Sequence, residues 1–261
     1  MVLEIILDPR KAESFSHVLL LSFIYTIFAS FVATIVFPQQ ASVAAIAVIT
    51  LLFLPFFQGM FEKEEAKENS FTDKKENKNI FARHESMIKL FSAFFLGIVF
   101  ASSFVYIFLP LRDAFSLQTS VLQGFATKDD AFMKIFLNNT QVMFLMFVFS
   151  ILMGAGAIFI LTWNASVVAV YAGLFVQSLT GPPQVSYLLG VPAALGSIAV
   201  HGIPEILAYF LAGLAGGILS YGIAKEKIMS REFRQIFIDA LIYIGMAETL
   251  ILIAGFLEVV L

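Results

Sequence analysis

Cysteine is absent from this chain of 261 residues, which excludes disulfide bonds, thiolate catalysis and cysteine metal ligands. Histidine is scarce, with three residues and no His-Glu-x-x-His motif. The sequence also lacks a Gly-x-Ser-x-Gly elbow, a P-loop and a dinucleotide fingerprint. Hydrolase, nucleotidase and redox functions therefore have no support in the sequence, and we favour a protein that is not an enzyme.

Charged residues are few as well, at 13% of the chain, whereas 59% of the residues are hydrophobic and the mean hydropathy is +0.90. This composition is typical of an integral membrane protein. An apolar helix of about 20 residues crosses the hydrocarbon layer and satisfies its own backbone polar groups. We therefore expect a multi-pass protein of the cell membrane, in contact with the lipid bilayer and with no nucleic-acid partner.

Long apolar runs predict an all-α fold, a polytopic transmembrane helical bundle with about seven crossings. We interpret the first run as a retained helix, because residues of both charges precede it and no small-residue cleavage site follows it. The stretch after Leu109, as far as Asp130, has apolar residues between polar ones and predicts a short amphipathic helix on the membrane surface. The predicted spans are His17–Phe37, Ala41–Phe61, Met87–Leu109, Val142–Trp163, Ser166–Leu179, Pro204–Ala224 and Ile236–Val260.

One further apolar stretch, Val185–Val200, lies between the fifth and sixth spans. Gly181-Pro182-Pro183 precedes it, and Gly190, Pro192 and Gly196 interrupt it. Short apolar segments with glycine and proline are typical of broken or re-entrant helices. We therefore expect a re-entrant or broken helical segment before the sixth span.

Basic residues cluster in three regions, at Arg10 and Lys11, in the polar stretch 62–85, and between 225 and 234. The positive-inside rule assigns these regions to the cytoplasmic side. An odd number of crossings then predicts a cytoplasmic N-terminus and a C-terminus outside the cell. The chain divides into an N-terminal transmembrane hairpin at 1–61, a charged cytoplasmic loop at 62–86, and a membrane core at 87–261.

His201 and Glu205 stand at the start of the sixth span and are the first candidates for a ligand or ion site. Ionisable side chains are costly at membrane depth and often mark function there. Structural interpretations compete, because a carboxylate near a helix N-terminus interacts favourably with the helix dipole, and a histidine can serve as a hydrogen-bonded packing residue. The same two residues are the candidate metal ligands, and a divalent cation is the cofactor that they suggest.

Three further side chains are candidates for the same kind of site. Glu248 lies near the middle of the seventh span, where a carboxylate is expected to face another helix or a cavity. Asn139 and Asn164 flank the fourth apolar run, and Asn164 is expected to end that helix. Amides in membrane helices also form hydrogen bonds between helices, so a purely structural role remains open for both.

The sixth span has a face of small residues, which allows another backbone to approach closely. This face suits packing within one chain and equally suits a homodimer. Its members are Ala208, Ala212, Gly213, Gly216 and Gly217.

Residues 138–224 resemble the stage II sporulation protein M family of multi-pass membrane proteins. The resemblance depends on Asn139 with Val142, on Asn164 after a glycine-bearing helix, and above all on His201-Gly202-x-x-Glu205 followed by Ala212-Gly213-x-Ala215-Gly216. It implies a membrane scaffold, because the sporulation members are thought to recruit cell-wall-remodelling partners.

Three functions remain as hypotheses from the sequence. The first is a membrane scaffold that organises membrane or envelope proteins and has no catalysis of its own. The alternative is an ion, proton or small-solute transporter or channel that uses His201, Glu205 and Glu248. The third is an intramembrane metalloenzyme, for which a third ligand would have to come from elsewhere in the fold.

Overall fold

The structure, a computed structural model, describes residues 14–73, 85–124, 131–228 and 230–260. The regular elements in these ranges are helices, and two short 3-10 helices, Pro38–Gln40 and Arg112–Phe115, complete them. The α-helices are α1 Phe15–Val36, α2 Ala41–Asp73, α3 Glu85–Phe108, α4 Ser116–Gly124, α5 Ala131–Met153, α6 Ala157–Ser178, α7 Pro183–Lys225 and α8 Arg231–Val260.

Seven helices in the described part of the chain are long and apolar enough to cross a membrane. These are α1 to α3 and α5 to α8, and α4 is too short to span. The predicted all-α, polytopic class is therefore confirmed, and the number of such helices equals the predicted number of crossings.

The N-terminal hairpin follows the prediction closely. The side chain of Ser14 caps α1 by accepting a hydrogen bond from the His17 backbone N–H at 3.3 Å, and α1 ends at Val36. A single 3-10 turn at Pro38–Gln40 leads into α2. Residues 62–73 then continue α2 where we predicted the start of a polar loop, because this stretch has four glutamates and two lysines, which favour helix. Residues 74–84 of the predicted loop lie outside the described residues.

The predicted fourth span, Val142–Trp163, is wrong because the chain turns at residues 154–156. Gly154 has a φ of +68°, a left-handed conformation that glycine adopts without steric cost. The Ala157 N–H donates to the Ser150 hydroxyl at 3.2 Å and so begins α6 with a side-chain partner. Asn164 consequently lies inside α6 and does not end a helix.

The predicted break before the sixth span is also wrong, because α7 runs without interruption for 43 residues. Pro183 occupies its first turn, as the Gly181-Pro182-Pro183 signal predicts, but Pro192 and Pro204 lie within the helix. Proline removes one backbone hydrogen bond and still fits helical φ. In lipid an open break would leave more backbone groups without water, so continuing the helix costs less than interrupting it.

The chain forms two compact units. Unit 1 comprises residues 1–53, 92–129 and 161–200, and unit 2 comprises residues 54–91, 130–160 and 201–261. The borders fall inside helices α2, α3, α6 and α7. Each unit has its own buried apolar residues, and the acidic residues that the sequence singles out, Glu205 and Glu248, belong to unit 2.

Candidate functional site

The small-residue face of α7 is buried in unit 2, at Ala208, Ala212, Gly213, Gly216 and Gly217. A Cβ atom on Gly216 would collide with the Phe147 carbonyl oxygen and with Ser150 of α5. A Cβ on Gly217 would collide with the ring of Phe61 from α2. Glycine is therefore required at both positions for the close approach of these helices.

Aromatic rings pack beside this face. Phe210 of α7 stacks on Phe91 at a centroid distance of 5.4 Å, and Phe91 stacks on Phe57 at 5.1 Å. The rings of Phe57 and Phe91 are fully buried or nearly so. Together with the glycine contacts, this packing holds α7 in a fixed position inside unit 2, which in turn positions the polar residues at 201–209.

Glu205 lies between two neutral hydrogen-bond donors. The Tyr209 hydroxyl, one turn further along α7, donates to Glu205 Oε1 at 2.8 Å. The Asn139 side chain of α5 lies beside the Glu205 carboxylate and can donate to it. Asn138 Nδ2 donates to Asn139 Oδ1 at 3.2 Å, so the amide N–H groups of Asn139 remain as donors for Glu205.

Glu248 meets the same part of α5 from helix α8. The Thr140 hydroxyl donates to Glu248 Oε1 at 3.1 Å. Because Asn139 and Thr140 are consecutive in a helix, their side chains point about 100° apart, towards two different partners. The two polar residues of α5 therefore connect Glu205 of α7 and Glu248 of α8 through one helical turn.

A third carboxylate, Glu258, lies near Glu205 and Tyr209 and interacts with both electrostatically. Helices α5 and α8 run antiparallel here, since Gly255 packs near Phe132 and Glu248 pairs with Thr140. Glu258 is exposed at the end of α8, whereas Glu205 is partly buried and Asn139 is 6% exposed. The carboxylates thus extend from the surface of unit 2 towards its interior.

Glu205, Glu248 and Glu258 place three carboxylates in unit 2. The hydrogen-bond partners of the first two are a phenol, an amide and an aliphatic hydroxyl, all neutral. Two neighbouring carboxylates without a basic partner repel each other, and a proton or a bound cation relieves that repulsion. The arrangement can therefore take up a positive charge.

The other predicted site residues lie apart from this network. His201 is one turn before Glu205 on α7 and is partly exposed, without a hydrogen bond to another described residue. Asn164 belongs to unit 1, inside α6. Tyr209 and Thr140 were not predicted, although a tyrosine four residues after Glu205 and a threonine beside Asn139 are signals that the sequence contains.

Metal binding at His201 and Glu205 stays a prediction. Within the described ranges, no group of three or more histidine, aspartate or glutamate residues is placed to hold a metal ion. Two protein ligands are fewer than a catalytic zinc site normally has. The carboxylate network offers oxygen ligands, but its members are divided between the two sides of α5.

Comparison with known protein families gives a match that covers the residues of this site. The model of the family described as stage II sporulation protein M matches residues 86–261, which is more than half of the chain. The chain belongs to the stage II sporulation protein M family. Neither the search of curated proteins nor the search of solved structures found a match. The family match includes α5, α7 and α8, and hence every residue of the carboxylate network, while it leaves out α1 and α2.

Proposed function

We propose that this member of the stage II sporulation protein M family takes up and releases protons at Glu205, as part of an ion or small-solute pathway through the membrane. The observation that supports the proposal is the surroundings of Glu205. Its hydrogen-bond partners are neutral donors, and a second carboxylate, that of Glu258, is near. A glutamine would satisfy the same donors without the cost of a charge, so a purely structural role does not explain the carboxylate.

The exposure of the carboxylates indicates the side from which protons would reach Glu205. Glu258 is exposed at the end of α8 and Glu205 lies partly buried behind it, with Tyr209 bonded to Glu205. A proton that arrives at Glu258 has a second acceptor at Glu205, and the hydroxyl of Tyr209 can both donate and accept. Under the predicted topology, with the C-terminus outside, protons would enter from the outer face.

Proteoliposomes with an internal pH indicator test this function. A pH step is applied across the membrane, and proton entry is compared for the wild-type protein, Glu205→Gln and the control Glu85→Gln. Glu85 is an exposed carboxylate that pairs with Lys89 on the first turn of α3. We expect proton entry in the wild type and in Glu85→Gln, and a loss of entry in Glu205→Gln with an unchanged elution profile of the purified protein. Equal entry in all three would contradict the proposal.

Partner organisation is the second candidate function, and it is favoured by the structural roles that the residues of unit 2 have within the fold. Gly213, Gly216 and Gly217 each lie against a residue of the same chain, so this face stabilises the fold. The bonds of Asn139 to Glu205 and of Thr140 to Glu248 also join helices. In a scaffold, Glu205→Gln would leave transport unaffected because there is none, and would lower partner capture or thermal stability instead.

The intramembrane metalloenzyme has no supporting observation in the described residues, since no third ligand approaches His201 and Glu205. Metal content of the purified protein tests this alternative directly. A near-stoichiometric metal that Glu205→Gln removes would overturn our preference for proton exchange.

A further inference from the structure

Gln118 of α4 is completely buried in unit 1, whereas its neighbour Leu117 is 43% exposed. The sequence predicts α4 as an amphipathic helix on the membrane surface, where polar side chains are expected to face water. Gln118 is buried in unit 1 instead. The position of Gln118 therefore needs an explanation from the groups around its amide.

The orientation of this amide follows from its hydrogen bonds. The Ser166 hydroxyl donates its single proton to the Trp163 carbonyl oxygen at 2.6 Å. Ser166 Oγ can then only accept, and it accepts from Gln118 Nε2 at 3.0 Å. Gln118 Oε1 must consequently point to the other side, where it has no hydrogen-bond partner among the described residues.

A second buried oxygen without a described partner belongs to Ser102 of α3, which is 1% exposed. Serine and threonine in membrane helices commonly donate to the carbonyl four residues earlier, as Ser22 and Thr119 do in unit 1. The Ser102 hydroxyl does not make this bond, so it is turned towards other surroundings.

An apolar cluster of unit 1 contains residues close in sequence to each of these polar side chains. Val105 and Tyr106 of α3, Phe115 and Val170 pack together in that cluster. Ser102 is one turn from Val105, Gln118 is one turn from Phe115, and Ser166 is one turn from Val170. Each of the three polar residues is thus one helical turn from a member of this cluster.

We propose that Gln118, Ser166 and Ser102 hold an ordered water molecule inside unit 1. Water can donate to Gln118 Oε1 and accept from the Ser102 hydroxyl, which gives a partner to each of the two oxygens. A cation fits less well, because the three ligands are neutral and the charged residue among the buried described ones, Asp239, belongs to unit 2. The inference is independent of the proposed function.

X-ray radiolytic footprinting with mass spectrometry tests this site, because radicals formed from a bound water oxidise side chains that bulk water does not reach. The reporters are Phe115 and Tyr106, whose rings are 6.1 Å apart and which are 2% and 6% exposed. Phe53, which has no exposed surface in unit 1, serves as the dry reference. We expect oxidation of the reporters well above that of Phe53 in the wild-type protein. Oxidation at the level of Phe53 would overturn the proposal.

Gln118→Leu and the control Ser120→Ala, an exposed position of the same helix, sharpen the result. We expect the leucine variant to lose the oxidation of Phe115 and Tyr106, and the control to keep it. If Gln118→Leu does not fold, the wild-type comparison with Phe53 still decides the question. A thermal shift of the wild type in one alkali-metal salt, absent in choline salt, would show a cation in place of water and so would also overturn the proposal.

Discussion

Unit 1 and unit 2 both bury polar side chains within apolar helices, but they use different residue types. Unit 2 buries Asn139, Ser150 and Asp239 in the described chain and holds Glu205 and Glu248 in partly buried positions. The buried polar side chains described in unit 1 carry no charge, and they are Ser22, Thr26, Ser30, Ser42, Ser102, Ser103, Gln118, Thr162, Ser166 and Ser186.

This difference separates polar residues that stabilise a membrane bundle from those that mark a site. A hydroxyl is satisfied cheaply by a nearby carbonyl, as Ser30 shows by donating to Thr26 O at 2.8 Å. An ionised carboxylate has no proton to donate to a carbonyl. Its charge must be balanced by a basic side chain, a bound proton or a cation. Asp239 has a neutral donor in Gln235 at 3.1 Å. The concentration of carboxylates in unit 2 is therefore the reason for placing the function there.

The largest expected effect comes from filling the close contact that holds α7 in unit 2. Gly216→Leu would drive a side chain into the Phe147 carbonyl and Ser150, and we expect destabilisation of about 3 kcal/mol or more. Thermal unfolding of the detergent-purified protein measures this loss. Gly196→Leu on the same helix is the matched control, because a Cβ at Gly196 meets no atom within 4 Å. Equal destabilisation of both variants would contradict the packing described for unit 2.

Tyr209→Phe removes one of the two donors to Glu205 and leaves the ring in place. Tyr209 is 1% exposed, so the lost hydrogen bond should lower the free energy of unfolding by about 1 kcal/mol. Proton entry in proteoliposomes should fall but persist, because Asn139 still bonds to the carboxylate. If Tyr209→Phe kept both the stability and the proton entry of the wild type, the hydroxyl of Tyr209 would contribute to neither.

The smallest effect is expected for the bond between α5 and α8. A double-mutant cycle of Thr140→Val and Glu248→Leu should give a coupling of about 0.6 kcal/mol, the average for polar bonds between membrane helices. Thermal unfolding of the two single variants and the double variant supplies the cycle. A coupling of several times this size would show that Glu248 belongs to the central network as firmly as Glu205 does.

Much of the fold follows from apolar run length alone. The hairpin turn at Pro38–Gln40 and the start of α7 at Pro183 were predicted because proline and polar residues interrupt apolar runs there. The turn at Gly154 was missed because the residues around it are as apolar as those of a continuous span. Pro192 and Pro204 led to the opposite error, a predicted break where the helix continues. In lipid, a proline inside a helix costs less than an open break.

The sequence predicts which residues belong to the site better than it predicts which of them contact one another. Glu205 and Asn139 stood out separately, since each is a polar residue within a long apolar run. That they bond to each other depends on the packing of α5 against α7 through Gly216, which no local pattern encodes. Glu258 lies at the end of α8, and only the antiparallel packing of α8 on α5 brings it near Glu205.

The central claim is that Glu205 takes up and releases a proton, and infrared difference spectroscopy of the membrane-reconstituted protein tests it most directly. Spectra recorded between acidic and alkaline pH report the C=O stretch of protonated carboxyl groups. The account predicts a band in the wild-type protein that disappears as the pH rises, that Glu205→Gln lacks and that Glu85→Gln retains. Identical difference spectra for the wild type and Glu205→Gln would contradict it.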